Sequence, residues 1–201
     1  MDKDFLLRAY GQCYDAEAGP WNLSVENKYL EYMFAKFFEE NFLVAETTHI
    51  CNVGIGAGYW DRYLSYRLKG GTLTSIDIDE TVCRQLKECL VNEKNPNNIT
   101  VIHSDVLTAA GLDNRFDIVT MVGSTRTESG LYEKIIEKTF SFLKKGGSLY
   151  YQTLDEAETK DDMAALCEKN RMIVDNYLLD PNYGFKAQYW KITKSVGKNH
   201  T

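Results

Sequence analysis

The sequence predicts an α/β fold: mostly parallel strands joined by helical crossovers and finished by an antiparallel hairpin. Three observations predict it. After residue 48, short runs rich in β-branched and aromatic residues alternate with amphipathic segments of helix length, the pattern of parallel strands covered on both faces. A glycine-rich turn, Gly54-Ile55-Gly56-Ala57-Gly58, follows directly on the first of those runs. The last two runs are separated by Asp180-Pro181-Asn182-Tyr183-Gly184, a gap of hairpin length carrying proline and glycine.

Taken in order, the strand-like runs are 49–53, 72–77, 99–103, 116–122 and 148–154, followed by 173–179 and 185–193 in the hairpin. Ahead of the first, Ser24 has the character of an N-cap for a helix that puts Tyr29, Leu30, Met33, Phe34, Phe37, Phe38 and Phe42 on one face. Aromatics at that spacing read as core. A helix begins near Tyr59. Between the second and third runs, residues 79–93 place Val82, Leu86, Cys89 and Leu90 on one face, with Asp79 as cap. Residues 129–143 carry an apolar stripe through Tyr132, Ile135, Ile136, Thr139, Phe140 and Leu143; Lys144-Lys145-Gly146-Gly147 then suits a helix end with a left-handed cap. A polar, acidic stretch over 155–162 leads into a further helix to about residue 171. One domain over 1–201 is expected: an N-terminal helical cap or lid over 1–47, a sheet core over 48–194 and a frayed tail over 195–201.

Composition narrows the function. A 44% hydrophobic and 26% charged chain is globular rather than disordered. No run of about 18 apolar residues exists to cross a membrane, and the start, Met1-Asp2-Lys3-Asp4, is unlike a secretion signal. Five cysteines, Cys13, Cys51, Cys83, Cys89 and Cys167, form no CxxC pair and read as reduced thiols of a cytoplasmic protein. The net charge of −6, with only short basic clusters, disfavours a nucleic-acid substrate.

The strand-to-helix turn carries the strongest chemical signal. At the carboxyl edge of a sheet a side chain blocks a ligand, whereas glycine leaves the main chain bare and tolerates positive φ; a tight turn alone asks for the same residues. The spacing is more specific, because the glycines read G-x-G-x-G and Tyr59 stands where a dinucleotide fingerprint would place its last glycine. Asp77 closes the second strand 23 residues after Gly54, placed to accept both hydroxyls of a ribose, with Asp79 left to cap the next helix. Asp105, after the third strand, is placed to accept from an adenine amino group, with Ile78 and Val106 on either side of the ring; a plain surface turn explains the same residues.

With these motifs the sequence resembles the class I S-adenosylmethionine-dependent methyltransferases over residues 50–154. The carriers are the G-x-G-x-G turn, Asp77, Ser104-Asp105-Val106, Phe116-Asp117-Ile118-Val119, and Leu143-Lys144-Lys145-Gly146-Gly147, similar to the family's LKPGG stretch. The resemblance implies a Rossmann-like three-layer sandwich with a seven-stranded sheet in the order 3-2-1-4-5-7-6, strand 7 antiparallel. It also implies S-adenosylmethionine as cofactor, held by residues 52, 54–56, 58, 77, 78, 105 and 106. One departure stands out. The family usually carries an acid two residues before the first glycine, and this chain has Asn52, which brings no charge to balance the methionine ammonium.

A sulfonium methyl is already activated, so the protein's task is alignment, worth about 7–11 kcal/mol. No metal site is expected, since no His, Cys and Asp cluster has ligand spacing. If an acceptor needs deprotonation, His103, Asp155, Tyr14, Asp15 and Glu17 are available, although His103 reads as a strand-end residue. The aromatic segment 10–21 resembles the lid of family members acting on small molecules, with Tyr10, Tyr14 and Trp21 placed to cover the sulfonium. Val122-Gly123-Ser124-Thr125-Arg126 lacks the motif of base and amide methylating enzymes, and Ser124 and Arg126 are acceptor-side candidates. Methyl transfer to a small molecule is therefore the expected function. A non-catalytic module binding the cofactor or its demethylated product remains open, and an aminopropyl transferase or a nicotinamide-dependent oxidoreductase fits less well. Oligomeric state is not readable.

Overall fold

The computed structural model describes residues 24–95, 98–123, 126, 129–184 and 186–195. The chain divides into two compact units, residues 1–42 and 43–201.

Helix α1 (Val25–Asn41) is the regular element described in the first unit. The hydroxyl of Ser24 accepts from the Asn27 N–H at 3.0 Å and so satisfies one of the helix's orphan donors. Leu30, Met33, Phe37 and Phe38 lie along one stripe. Phe38 stacks on Phe42 at the C-cap, ring centroids 5.2 Å apart.

The second unit is built on β1 (His49–Val53), β2 (Thr72–Asp77), β3 (Asn98–His103), β4 (Phe116–Val122), β5 (Leu143–Thr153), β6 (Met172–Asp180) and β7 (Ala187–Lys194), in the order β3-β2-β1-β4-β5-β7-β6. β1 pairs in parallel with β2 and β4, β2 with β3, and β4 with β5, while β7 runs antiparallel to both β5 and β6. This is the sheet order and strand sense expected from the sequence. The crossovers are α2 (Tyr59–Arg67), α3 (Glu80–Asn92), α4 (Tyr132–Phe142) and α5 (Lys160–Lys169).

The helices take opposite faces because successive strand residues do. On one side Cys51, Val53, Ile76, Val119, Met121 and Tyr151 pack with α4 and α5 through Ile136, Phe140, Met163 and Leu166. On the other, Ile55 and Val101 meet Cys83 and Leu86 of α3, and Trp60 of α2 meets Tyr150 edge-on at 5.6 Å. Each fully buried Leu, Ile or Phe side chain contributes about 1.5–3 kcal/mol.

The stretch after α4 departs from expectation. The helix stops at Phe142 with Leu143 already extended, and β5 starts there instead of at residue 148. Leu143 pairs with Phe116, and a register shift separates that pair from Ile118 and Ser148. Lys144 does not cap the helix; its ammonium binds the Asp117 carboxylate at 2.8 and 3.0 Å. Sequence alone gave these cations a helix-end role because the dipole favours them there, but an acid two residues into the adjacent strand is the stronger partner. The hairpin gap holds a single 3-10 turn, Asn182–Gly184.

The close approach of the loop before β2 to the loop before β1 fixes where β1 begins. A β-carbon on Gly71 would lie 1.9 Å from the Thr48 carbonyl oxygen, and the backbone there is held by the Thr72 N–H to Thr48 bond of 3.2 Å. Gly71→Ala is expected to destabilise the protein by about 3 kcal/mol in urea denaturation. A loss below about 1 kcal/mol would show that the Thr48 turn yields to the methyl group.

Candidate functional site

The site is assembled at the carboxyl ends of β1, β2 and β3. Leaving β1, Gly54 donates its N–H to the Ile76 carbonyl at 2.9 Å. Gly56 then turns with φ +52°, and among the described residues a β-carbon there would meet nothing within 4 Å, so this stretch of main chain is bare toward them on its outer side. Gly58 caps α2 with φ +71°, where a β-carbon would press to 3.3 Å from the Leu86 side chain. Only glycine adopts both conformations without strain.

The turn is tied to β2 by Asp77. The Ile55 N–H donates to Asp77 Oδ2 at 2.6 Å, and the Asp79 N–H donates to Oδ1 at 2.9 Å. A carboxylate accepts about four hydrogen bonds, so each oxygen of this half-buried group keeps room for a further donor. Capping of α3 falls to Asp79, whose carboxylate accepts from the Thr81 and Val82 N–H groups. The next strand end is fastened in the same way. Ser104 donates its N–H to the Asp77 carbonyl at 2.8 Å, and Asp105 Oδ1 accepts from the Leu107 N–H at 2.8 Å, closing its own turn. Ile78 is 70% exposed, while Val106 is half-buried against the sheet core. His103 Nε2 lies 3.0 Å from the Ile78 carbonyl, which only accepts, so the ring donates there and helps hold the loop that carries Ile78.

Beneath the turn, Asn52 is fully buried. Its amide nitrogen donates to the Gly54 carbonyl and to Asp61 Oδ1, each at 2.9 Å, and its oxygen accepts from the Thr120 hydroxyl at 2.7 Å. Asp61 is an acid the sequence reading passed over. In the first turn of α2 it looks like a surface residue complementing the helix dipole, yet it has no solvent exposure. Its second oxygen faces the Ser75 hydroxyl, and neither atom completes a hydrogen bond of normal geometry. Burial raises the Asp61 carboxyl to about 6, opposed by the Ser75 and Asn52 side chains and its own N–H, and aided slightly by the charge of Asp77.

Another missed acid, Glu158, joins the loops after β4 and β5. It is 2% exposed; Oε2 accepts from the Tyr151 hydroxyl at 2.5 Å and Oε1 from the Arg126 N–H at 2.6 Å. Burial raises this carboxyl too. Its place within the polar 155–162 stretch hid it. The Arg126 guanidinium is half-exposed and leans toward the Ala157 carbonyl at 3.5 Å and Asp162 at 3.9 Å. Asp155 accepts from the Ala157 N–H at 2.9 Å, and Glu156 pairs with Lys186 at 2.6 Å. The acids 155, 156 and 158 therefore do not converge on one point, as a polyamine would require. Tyr10, Tyr14, Asp15, Glu17, Trp21 and Ser124 lie outside the described residues. Among the described residues no group of His, Cys, Asp and Glu is gathered to hold a metal, and no helix is long and apolar enough to cross a membrane.

Residues 50–147, which hold the glycine turn, Asp77 and Asp105, match the methyltransferase domain family. That stretch is a methyltransferase domain. This methyltransferase is 23% identical over 180 residues to a protein of Invertebrate iridescent virus 6 designated methyltransferase 235L, an alignment covering 86% of the chain and 56% of the viral protein. The chain thus spans little more than half the length of that relative. In fold it is similar to magnesium protoporphyrin IX methyltransferase (ChlM) from Synechocystis PCC 6803, solved with bound S-adenosylmethionine. The TM-score is 0.70 at 13% identity, with 97% and 98% of the two chains covered. It is also similar to a S-adenosylmethionine-dependent methyltransferase from Aquifex aeolicus, with a TM-score of 0.68 at 18% identity and 80% and 89% covered.

The raised Asp61 carboxyl has a consequence for stability. A folded-state value near 6 against an ordinary 3.8 means the folded methyltransferase binds this proton more tightly than the unfolded chain. That contribution is complete below about pH 4 and is lost as pH rises through about 6. At about 1.36 kcal/mol per unit, the loss is on the order of 3 kcal/mol at neutral pH. Asp61→Asn is expected to stabilise the ligand-free protein at pH 7.5 by about 1–3 kcal/mol. That advantage should shrink toward zero near pH 4, as followed by urea denaturation across that range. A gain independent of pH would refute the assignment.

Proposed function

We propose that this methyltransferase binds S-adenosylmethionine across the carboxyl ends of β1, β2 and β3 and directs methyl transfer to a small-molecule acceptor by in-line displacement. The observation that carries the reading is the pairing of a bare main chain at Gly56 with the Asp77 carboxylate, fastened to the same turn and retaining acceptor capacity on both oxygens. These residues suit an adenosyl ligand. Asp77 accepts the ribose hydroxyls, and the main chain of Gly54, Ile55, Gly56 and Gly58 allows close approach. Ile78 and Val106 flank the adenine, and Asp105 accepts from its amino group. Asn52 supports the turn from below. When bound, S-adenosylmethionine supplies an electrophilic methyl carbon on a positively charged sulfur.

The chain's own contribution is alignment and exclusion of water. Residues 1–23 contain Tyr10, Tyr14 and Trp21, which we assign to a lid over the site, with Asp15 and Glu17 among the groups able to take an acceptor proton. The loop after β4, with Ser124 and Arg126, and the loop after β5, held to it through Glu158, shape the acceptor side. A small acceptor rather than nucleic acid is favoured by the net charge of −6. Among fold relatives, the Synechocystis protein is named for such an acceptor, magnesium protoporphyrin IX. We place the protein in the cytoplasm as one domain working with reduced thiols: the described cysteines, Cys51, Cys83, Cys89 and Cys167, are free. The alternative, a module that binds the cofactor without catalysis, draws its support from Asn52.

Two measurements test this reading. S-adenosylmethionine and S-adenosylhomocysteine are expected to raise the melting temperature while NAD and NADP do not. Asp77→Ala should weaken calorimetric S-adenosylmethionine affinity about 10- to 100-fold, the cost of removing a charged acceptor from two hydroxyls. Unaltered affinity would remove Asp77 from the site. Deleting residues 1–20 is expected to weaken S-adenosylmethionine binding by about tenfold through lost cover of the sulfonium; equal affinity would show that this segment is no lid.

A further inference from the structure

We propose that Asp61 is the charge-selecting residue of the cofactor site: a carboxylate buried under the glycine turn that replaces the anion missing at Asn52 and favours the cationic sulfonium over its neutral demethylated product. The inference rests on the S-adenosylmethionine reading above and concerns how that ligand is told from S-adenosylhomocysteine.

Three observations lead to it. The acid is close-coupled to the turn, since the Asn52 amide bridges Asp61 Oδ1 and the Gly54 carbonyl with two bonds of 2.9 Å. A change in charge at Asp61 therefore acts directly on the main chain from which the cradle is built. Its desolvation is only partly offset: among the described residues no cation is paired with it, and Oδ2 is a fully buried oxygen without a completed hydrogen bond. A buried carboxylate so poorly balanced is costly, and packing alone would be served by an amide of the same shape. A cationic ligand arriving above the turn supplies the missing balance. Finally, the other groups facing it add no positive charge. β1 presents Asn52 and the Cys51 thiol, which burial keeps protonated, and β2 presents Ser75 and the anionic Asp77. Thr120 of β4 reaches Asn52 rather than the acid. Within α2 the acid meets its own N–H at the positive end of the helix.

A charge acting through low-dielectric protein distinguishes ligands that differ by one charge, whereas a shape effect does not. The two ligands differ at the reacting centre only by the methyl group and the positive charge it confers on sulfur. Loss of the Asp61 charge therefore changes their ratio of affinities. An acid moved to position 52 restores that ratio, because it stands at the other end of the same hydrogen bond. The device also has kinetic sense, since it weakens the hold on the neutral product once the methyl group has left.

The experiment is calorimetric titration of wild type, Asp61→Asn and the transposed Asn52→Asp/Asp61→Asn protein with both ligands. Asp61→Asn is expected to lose about tenfold in S-adenosylmethionine affinity and less than about twofold in S-adenosylhomocysteine affinity, with the transposed protein recovering the wild-type ratio. Equal losses for both ligands, or a ratio that transposition leaves at the Asp61→Asn value, would overturn the proposal. Wild type provides a readout that does not depend on any variant folding. At pH 6, titration in two buffers of different ionisation enthalpy should show release of up to about half a proton on binding S-adenosylmethionine and close to none on binding S-adenosylhomocysteine. Equal release with both ligands, or release that persists in Asp61→Asn and so belongs to another group, would overturn it. Failure of wild type to bind either ligand is a different result, which defeats the cofactor reading itself.

Discussion

A single buried amide connects the parts from which the site is made. Asn52 takes a hydrogen bond from β4, gives one to the first glycine of the turn and gives another to the first turn of α2. Three elements are thereby fixed relative to one another at the point where β1 ends. A buried amide left with one partner missing costs about 1–3 kcal/mol, so the arrangement is strongly coupled: loosening Thr120 or Asp61 frees the turn as well. The bare main chain at Gly56 is useful to a ligand only because its underside is immobilised in this way. The same amide joins the position where the family carries an acid to an acid nine residues further along the chain, at the far end of the hydrogen bond.

The proposed acceptor half of the site follows a different principle. On the cofactor side the fastening atoms are mostly main chain, and the required residues are therefore recognisable as glycines and strand-end acids. Beyond β4 and β5 the loops are joined by side chains. Glu158 holds the Arg126 N–H and the Tyr151 hydroxyl, and Gln152 takes the Gly123 N–H at 3.0 Å. Side-chain fastening can be rebuilt from many residue types, which is why this half of a methyltransferase carries its individuality and has no short signature.

That contrast also describes what was legible in the sequence. The strands announced themselves because parallel strands buried on both faces read as continuous apolar runs, and their ends were set by residues with one physical use, such as Asp79 at the head of α3 or the glycines after Val53. The misreading over 143–147 arose where local rules conflict. Lysines and glycines after an amphipathic helix satisfy capping preferences, and only the distant Asp117, which binds Lys144, turns the segment into strand. Asp61 and Glu158 were illegible for a related reason. Periodicity tells whether a position faces inward, but an acid at an inward position normally signals that the helix phase or the loop assignment is wrong. Asn52 and Ser75 around the one, and Tyr151 around the other, are what make burial of these acids admissible, and such pairings appear only in three dimensions.

The placement of β7 between β5 and β6 bears on how the molecule is made. A growing polypeptide produces β6 before the strand that must sit between it and the rest of the sheet exists. Until residues 187–194 have cleared the ribosomal tunnel, β6 has no neighbour to pair with, and the Tyr150 and Tyr151 edge of β5 lies open. Completing the sheet is therefore a late, long-range event rather than a vectorial one, and nascent chains stalled before that point present two unsatisfied strand edges to chaperones and to each other.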